Sequence, residues 1–216
     1  RVLCVIPNAI DCEKFKLNRL PCYDIESSNL NSECIKNIGV IGRYMPIKGH
    51  ENLFNALSLL PSNVKYRCLL AGRGISDAIP LQRYLTSSKL VNKLDILGEC
   101  TDIPELLSKF DFLVLPSDSE GFPNVVAEAM AAGIPCIVTD VGDTRNIVGD
   151  TGVIVPPKVP ESLAKAILAW LHLDKATLKL KGIEASQRIN DNYSLVRVWN
   201  DYSNFYESLW DKYKHE

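Results

Sequence analysis

The chain has 216 residues, of which 46% are hydrophobic and 23% charged, and this ordinary globular composition excludes disordered, collagen-like, coiled-coil and disulfide-scaffold proteins. Its 24 Lys and Arg against 26 Asp and Glu give a formal net charge of −2, which argues against a nucleic-acid-binding surface over the whole molecule. No apolar run reaches the roughly 20 residues of a membrane span, and the length fits one large domain or two small ones.

In chain order, short apolar runs alternate with helical patterns. The pattern predicts a strand at 37–41, a helix carrying Leu53, Leu57 and Leu60, a strand at 64–70, a helix at 75–90, a strand at 94–97, a helix from 101 or 102 to 109, a strand at 112–115, a helix at 123–132, strands at 136–139 and 152–155, a helix at 160–173, and two helices over 175–213. The strands are apolar on both faces, as buried parallel strands are. The alternation predicts an α/β fold, a doubly wound parallel sheet with C-terminal helices.

The cysteines and histidines do not form a metal-binding pattern. The seven cysteines include no C-x-x-C pair, and the three histidines lie far apart, so we predict no metal site. Cys68 and Cys136 lie inside apolar runs, which is typical of reduced, buried thiols and indicates a cytoplasmic setting. The chain opens at Arg1 without the layout of a signal peptide, and we interpret it as a piece of a longer protein.

The loop after the first strand, residues 42–49, carries two cations between glycines. In doubly wound sheets, ligands bind at the carboxyl ends of the strands, where this loop lies. Arg43 can grip phosphate oxygens with a planar fork, and Lys48 supplies a compact charge. The alternative is a pair of solvated surface charges.

The loop that leads into the helix at 123–132 carries two carboxylates, Glu120 and Glu128. We predict Pro123 as the first helical residue, so that the N–H groups of Asn124 and Val125 could bind an anion. The two glutamates could then accept hydrogen bonds from different hydroxyls of one elongated ligand. The alternatives are charge compensation at the helix start for Glu120 and a solvated helix position for Glu128.

A third loop, Ala71-Gly72-Arg73-Gly74, contains a G-x-G turn after a strand. A dinucleotide-binding fingerprint needs a third glycine where Asp77 stands, so we interpret this loop as a tight turn only.

Together these motifs resemble the donor-binding half of a family 4 retaining glycosyltransferase of the GT-B fold. The resemblance rests on Gly42-Arg43 with Lys48-Gly49, on Glu120-Gly121-Phe122-Pro123 leading to Glu128, and on the opening Val5-Ile6-Pro7-Asn8-Ala9-Ile10-Asp11. It implies that residues 1–216 are the C-terminal, Rossmann-like, nucleotide-sugar-binding domain, with a helical tail at 175–216. The N-terminal domain, which would bind the acceptor, would be missing from this chain.

The resemblance also implies roles around the diphosphate of the donor. Arg43 and Lys48, in the loop that begins at Gly42, would hold the diphosphate, and the backbone amides of Asn124 and Val125 would face it. Such enzymes need no metal, because cations and a helix start stabilise the departing diphosphate. No cofactor is therefore expected beyond the nucleotide-sugar, such as a UDP-sugar or GDP-sugar.

Further roles concern the sugar, the ribose and the base. Glu120, with the backbone amides of Gly121, Phe122 and Pro123, would hold the sugar hydroxyls, and the catalytic set would be Glu120, Arg43 and Lys48. Glu128 would bind the ribose, and the loop 98–103 would border the base. One departure is Gly142-Asp143, where the family often has two glycines.

The implied activity is transfer of a sugar, with retention, from a nucleotide-diphosphate-sugar to a glycan or lipid-linked acceptor in polysaccharide or glycolipid assembly. The isolated domain is expected to be inactive, and the whole protein to be cytoplasmic, free or peripheral to a membrane. One alternative is a GT-B-like sugar-nucleotide epimerase, which would lack the paired cations and glutamates. The other is a binding-only scaffold subunit, which would be expected to have lost some of these charges.

Overall fold

The structure, a computed structural model, describes residues 4–16, 35–78, 81, 84, 86 and 89–214, with side chains as far as residue 211. Its centre is a six-stranded sheet in which all neighbouring pairs are parallel. The strands are β1 (Lys36–Ile41), β2 (Tyr66–Ala71), β3 (Leu94–Gly98), β4 (Phe112–Leu115), β5 (Cys136–Thr139) and β6 (Val153–Val155). The predicted α/β class and parallel sheet are confirmed.

The strand order is β3-β2-β1-β4-β5-β6. The chain builds outward from β1 to one edge, returns to the middle at β4, and then builds outward to the other edge. Ile38 and Gly39 of β1 pair directly with Phe112 and Leu113 of β4. The loops that follow these two strands leave the sheet in opposite directions, and the crevice between them is the topological switch point where doubly wound sheets bind ligands.

Helices cover both faces of the sheet. Those in the described part of the chain are α1 (Cys12–Phe15), α2 (His50–Ser58), α3 (Ile103–Ser108), α4 (Asn124–Ala131), α5 (Thr144–Val148), α6 (Pro160–His172), α7 (Lys175–Tyr193) and α8 (Leu195–Lys214), together with a 3-10 turn at Pro46–Lys48. One core cluster joins α2 and α6 to the sheet, and a second joins α3, α4 and α7 to its other face. None of the described helices combines the length and the apolarity needed to cross a membrane.

The helix predictions were accurate for the long amphipathic segments and poorer for short ones. Asp102, one of the two residues predicted to begin this helix, caps α3, and its carboxylate accepts from the N–H of Glu105 at 2.9 Å. Pro123 lies at the N-cap of α4 rather than at its first position. The short helices α1 and α5 were not predicted, and the helix expected at 75–90 includes residues outside the described part of the chain.

The two C-terminal helices differ in how they contact the rest of the domain. Helix α7 lies close against the turn after α4, since a Cβ at Gly182 would come within 2.0 Å of the Gly133 carbonyl oxygen. Helix α8 buries Val198 but leaves Trp199 71% and Trp210 60% exposed. The exposed aromatic residues of α8 form an apolar face on the described part of the chain.

Candidate functional site

Three loops are joined by backbone hydrogen bonds at the carboxyl edge of the sheet. The N–H of Gly42 donates to the Ala71 carbonyl at 2.9 Å, and the N–H of Gly72 donates to the Gly98 carbonyl at 2.7 Å. A Cβ at Gly72 would lie 2.1 Å from the Gly42 carbonyl oxygen, so this close approach requires glycine. The loops after β1, β2 and β3 therefore form one continuous rim.

The 3-10 turn at Pro46–Lys48 is fastened to the loop after β4. Gly49, which follows the turn, has φ +65°, and a Cβ there would lie 1.9 Å from the Pro116 carbonyl oxygen. The N–H of Asp118 donates to the Ile47 carbonyl at 2.8 Å. These two contacts hold Lys48 beside the loop that follows β4, on the other side of the switch point.

Lys48 and Glu120 form an ion pair at this switch point. The ammonium of Lys48 lies 2.7 Å and 3.0 Å from the two carboxylate oxygens, and the hydroxyl of Ser117 donates to the nearer oxygen at 2.7 Å. The Glu120 side chain is only 10% exposed and that of Lys48 25%. Sequence reasoning gave each residue a separate ligand contact, and the structure brings them into contact with each other.

Residues from β5 and its loop support the backbone around Glu120. The Thr139 hydroxyl donates to the Ser117 carbonyl at 2.6 Å, and the N–H of Asp143 donates to the Gly121 carbonyl at 2.9 Å. Gly142 has φ +52°, and a Cβ there would lie 2.3 Å from the Glu120 carbonyl oxygen. Of the two glycines that the family often has here, this chain keeps the first, Gly142, which allows the close approach to the Glu120 carbonyl.

The N-terminus of α4 follows directly after this backbone. Its N-cap residue, Pro123, makes no side-chain capping hydrogen bond, and the Asn124 side-chain oxygen accepts from the Asn8 amide at 3.0 Å. Pro123 has no N–H to donate to a sugar hydroxyl, and its carbonyl accepts from the N–H of Val126 at 3.0 Å. The first N–H groups of an α-helix have no partner within the helix, and this end of α4 can therefore receive an anion.

Glu128 lies one turn into α4, in a cleft of about 500 Å³ that is also lined by Asn8, Lys14 and Tyr202. Burial raises the pKa of its carboxyl, and the nearby ammonium of Lys14 partly opposes this shift. Glu120 does not line this cleft. The two glutamates therefore face different parts of the surface around the start of α4.

Arg43 is exposed and lines a separate cavity of about 340 Å³. Arg73 and Glu99 line the same cavity, and the guanidinium of Arg73 donates to Glu99 at 2.9 Å and 3.2 Å. This bond lowers the pKa of the Glu99 carboxyl. Sequence reasoning missed Arg73, and its signal was a cation between two glycines at the end of a strand.

The raised pKa of Glu128 predicts a pH-dependent gain in stability when its charge is removed. The folded state binds this proton more tightly than the unfolded state, so the free energy of unfolding falls as pH rises through the interval above the ordinary pKa of 4.5. Glu128→Gln should therefore be more stable than the wild type at pH 7 and lose that advantage at pH 4. Thermal unfolding at both pH values measures this, and an advantage independent of pH would contradict it.

The fold and these loops define a doubly wound α/β domain whose candidate ligand-binding groups lie around the β1/β4 switch point. Residues 35–172 match the family described as "Glycosyl transferases group 1", and the chain belongs to this family. This membership confirms the resemblance to glycosyltransferases, while the retaining mechanism and the donor-binding role stay predictions.

The chain is similar to the lipopolysaccharide core biosynthesis mannosyltransferase LpsB of Rhizobium meliloti, with 27% identity over 183 residues, 81% of this chain and 52% of LpsB. It spans about half the length of the curated relatives it matches. It superposes on Anabaena HepE in complex with UDP with a TM-score of 0.80 at 24% identity, covering 95% of this chain and 57% of HepE. For the C-terminal domain of the group 1 glycosyl transferase LpcC from Francisella tularensis the TM-score is 0.67 at 22% identity, covering 86% of this chain and 99% of that domain. These structures share its fold.

Proposed function

We propose that this chain is the donor-binding domain of a retaining glycosyltransferase that moves a sugar from a nucleotide-diphosphate-sugar to a glycan or lipid-linked acceptor. The observation that carries the proposal is the ion pair of Lys48 and Glu120 at the switch point, beside the uncapped start of α4. HepE, which has the same fold, is described with UDP, and LpsB is named for lipopolysaccharide core biosynthesis. The first supports a nucleotide-sugar donor, and the second supports a role in polysaccharide or glycolipid assembly.

The diphosphate would lie between Lys48 and the first turn of α4. Lys48 would exchange its contact with Glu120 for the phosphate oxygens, and the backbone N–H groups of Asn124 and Val125 would donate to the same group. Arg43 would approach from the rim formed with the loop after β2. Positive charge fixed at the leaving diphosphate stabilises the charge that develops as the sugar bond breaks, without a metal.

The sugar and the nucleoside would lie on either side of the diphosphate. Glu120, released from Lys48, would accept from sugar hydroxyls, and the backbone of Gly121 and Phe122 would line the same side. Glu128 would accept from the ribose hydroxyls, for which its half-buried carboxylate is suited. The cavity beside Arg43, bordered by the loop after β3, would receive the base.

The acceptor would be bound by a second domain of the whole protein, in keeping with the share of its relatives that this chain spans. The groups named here contact the donor only, so the chain alone is expected to bind donor without transferring it. The exposed apolar face of α8, with Trp199 and Trp210, is suited to contact that second domain. The whole protein would act in the cytoplasm, free or peripheral to a membrane.

Binding of a nucleoside diphosphate without metal is the direct test. Thermal unfolding with UDP, GDP, ADP and NAD, each in the presence of a chelator, should show stabilisation by at least one diphosphate. A ligand at 100 times its Kd that binds only the folded state adds about 2.7 kcal/mol. Stabilisation by NAD alone, or only after a divalent cation is added, would contradict the proposal.

A further inference from the structure

The cavity beside Arg43 has an apolar floor and a charged rim. It lies at the carboxyl ends of β1 and β2 and is closed on one side by α3. Its floor is made by small or apolar side chains, namely Ile41, Ala71, Cys100, Ile103 and Leu106. A surface of this kind is suited to the face of a planar ring, because it offers contact area and no obligatory hydrogen bonds.

The rim carries an ion pair whose two residues come from neighbouring strand ends. Arg73 follows β2 and Glu99 follows β3, and the hydrogen bond from the Gly72 N–H to the Gly98 carbonyl, 2.7 Å, fixes their backbones side by side. The guanidinium of Arg73 orients the carboxylate, while the Glu99 side chain remains 56% exposed. An exposed pair of this kind contributes little to stability, so a ligand can share its hydrogen-bonding groups at little cost.

We propose that Glu99, oriented by Arg73, selects guanine as the base of the donor nucleotide. This rests on the proposed function, which places the base in this cavity. A carboxylate only accepts hydrogen bonds, and guanine is the base that offers it two adjacent donors, the ring N1–H and the 2-amino group. Arg73 in turn suits the O6 and N7 acceptors of guanine, the pairing that arginine commonly makes.

The other common bases do not fit a carboxylate as well. Uracil presents one N–H between two carbonyls, so one oxygen of Glu99 would face a carbonyl oxygen without a proton between them. Adenine presents an amino group beside a ring nitrogen that is itself an acceptor. Glu99 should therefore favour guanine and disfavour both alternatives.

The test compares GDP with inosine diphosphate, which lacks only the 2-amino group, and with UDP, by calorimetric titration without metal. We expect the wild type to bind GDP about tenfold more tightly than inosine diphosphate, the loss of one hydrogen bond to a charged group. The side-chain amide of Glu99→Gln has a single acceptor oxygen, so the affinity of this variant for GDP should fall about tenfold. Its preference for GDP over inosine diphosphate should disappear, and its affinity for UDP should not fall.

Glu105→Gln is the matched control. Glu105 also carries an exposed carboxylate in an ion pair, 3.1 Å from Lys109 on α3, but does not line the cavity. Glu105→Gln should leave the affinities for GDP, inosine diphosphate and UDP unchanged. Diphosphate binding in which Glu99→Gln keeps the wild-type ratio of GDP to inosine diphosphate would overturn guanine selection and leave the proposed function standing. Absence of binding by every nucleoside diphosphate would overturn both.

Discussion

Gly49→Ala is expected to lower the free energy of unfolding by about 2–5 kcal/mol. A side chain at φ +65° costs about 1–2 kcal/mol, and forcing extra atoms into a packed site costs about 1–3 kcal/mol. The added Cβ would lie 1.9 Å from the Pro116 carbonyl oxygen, so the backbone before Ser117 must move. Since domains are stable by about 5–15 kcal/mol, this is a large share, and chemical denaturation measures it.

The control for Gly49 is Gly121→Ala. Gly121 has no positive φ in the left-handed region, and a Cβ there meets no atom within 4 Å. We expect this variant to unfold within about 0.5 kcal/mol of the wild type, as surface substitutions usually do. Equal decreases in the free energy of unfolding for the two variants would show that the contact between Gly49 and Pro116 does not determine stability.

Lys48→Met is expected to lose about 10- to 100-fold in affinity for a nucleoside diphosphate, because one charge-assisted hydrogen bond to phosphate is lost and Glu120 then repels the ligand. The same change leaves a carboxylate only 10% exposed without its counter-ion. Breaking a fully buried pair costs about 3–5 kcal/mol; with Lys48 one-quarter exposed we expect about 1–3 kcal/mol. Titration and denaturation of the same preparations measure both.

The double variant Lys48→Met/Glu120→Gln separates the two roles of Lys48. Removing the orphaned charge should restore most of the stability but only the part of the affinity that was lost to repulsion by Glu120, and the resulting double-mutant cycle gives the coupling of the pair. Lys109→Met, which breaks the exposed pair with Glu105, is the control and should cost less than about 1 kcal/mol. Full recovery of the wild-type affinity in the double variant would exclude a direct contact between Lys48 and the diphosphate.

The strands were predictable because burial on both faces leaves a simple pattern in the sequence. Phe112–Leu115 and Cys136–Thr139 are continuous apolar runs, and both strands have the predicted bounds. The short helices α1 and α5 were not predictable, since four or five residues are too few to show helical periodicity. The strand order is set by contacts distant in sequence, which no local pattern reports.

The site residues were predictable one loop at a time, but not their mutual contacts. The loop motifs predict that Lys48 and Glu120 each face a ligand, yet in the structure each is the partner of the other. The sequence indicates only a tight turn around Arg73, because its partner Glu99 lies beyond a further strand. Which charges pair depends on which strand ends are neighbours, and this information lies in the assembled sheet.

Ile10 restrains the junction between helices α7 and α8. Its N–H donates to the Tyr193 carbonyl at 2.8 Å, and its carbonyl accepts from the N–H of Leu195 at 3.2 Å. Ile10 is therefore hydrogen-bonded to the last residue of α7 and to the first residue of α8 at this joint. The Ile10 side chain is buried, which prevents water from replacing these bonds singly. A hinge motion of α8 at this joint therefore either breaks the bond from Leu195 to Ile10 or moves the residues before α1 together with the helix.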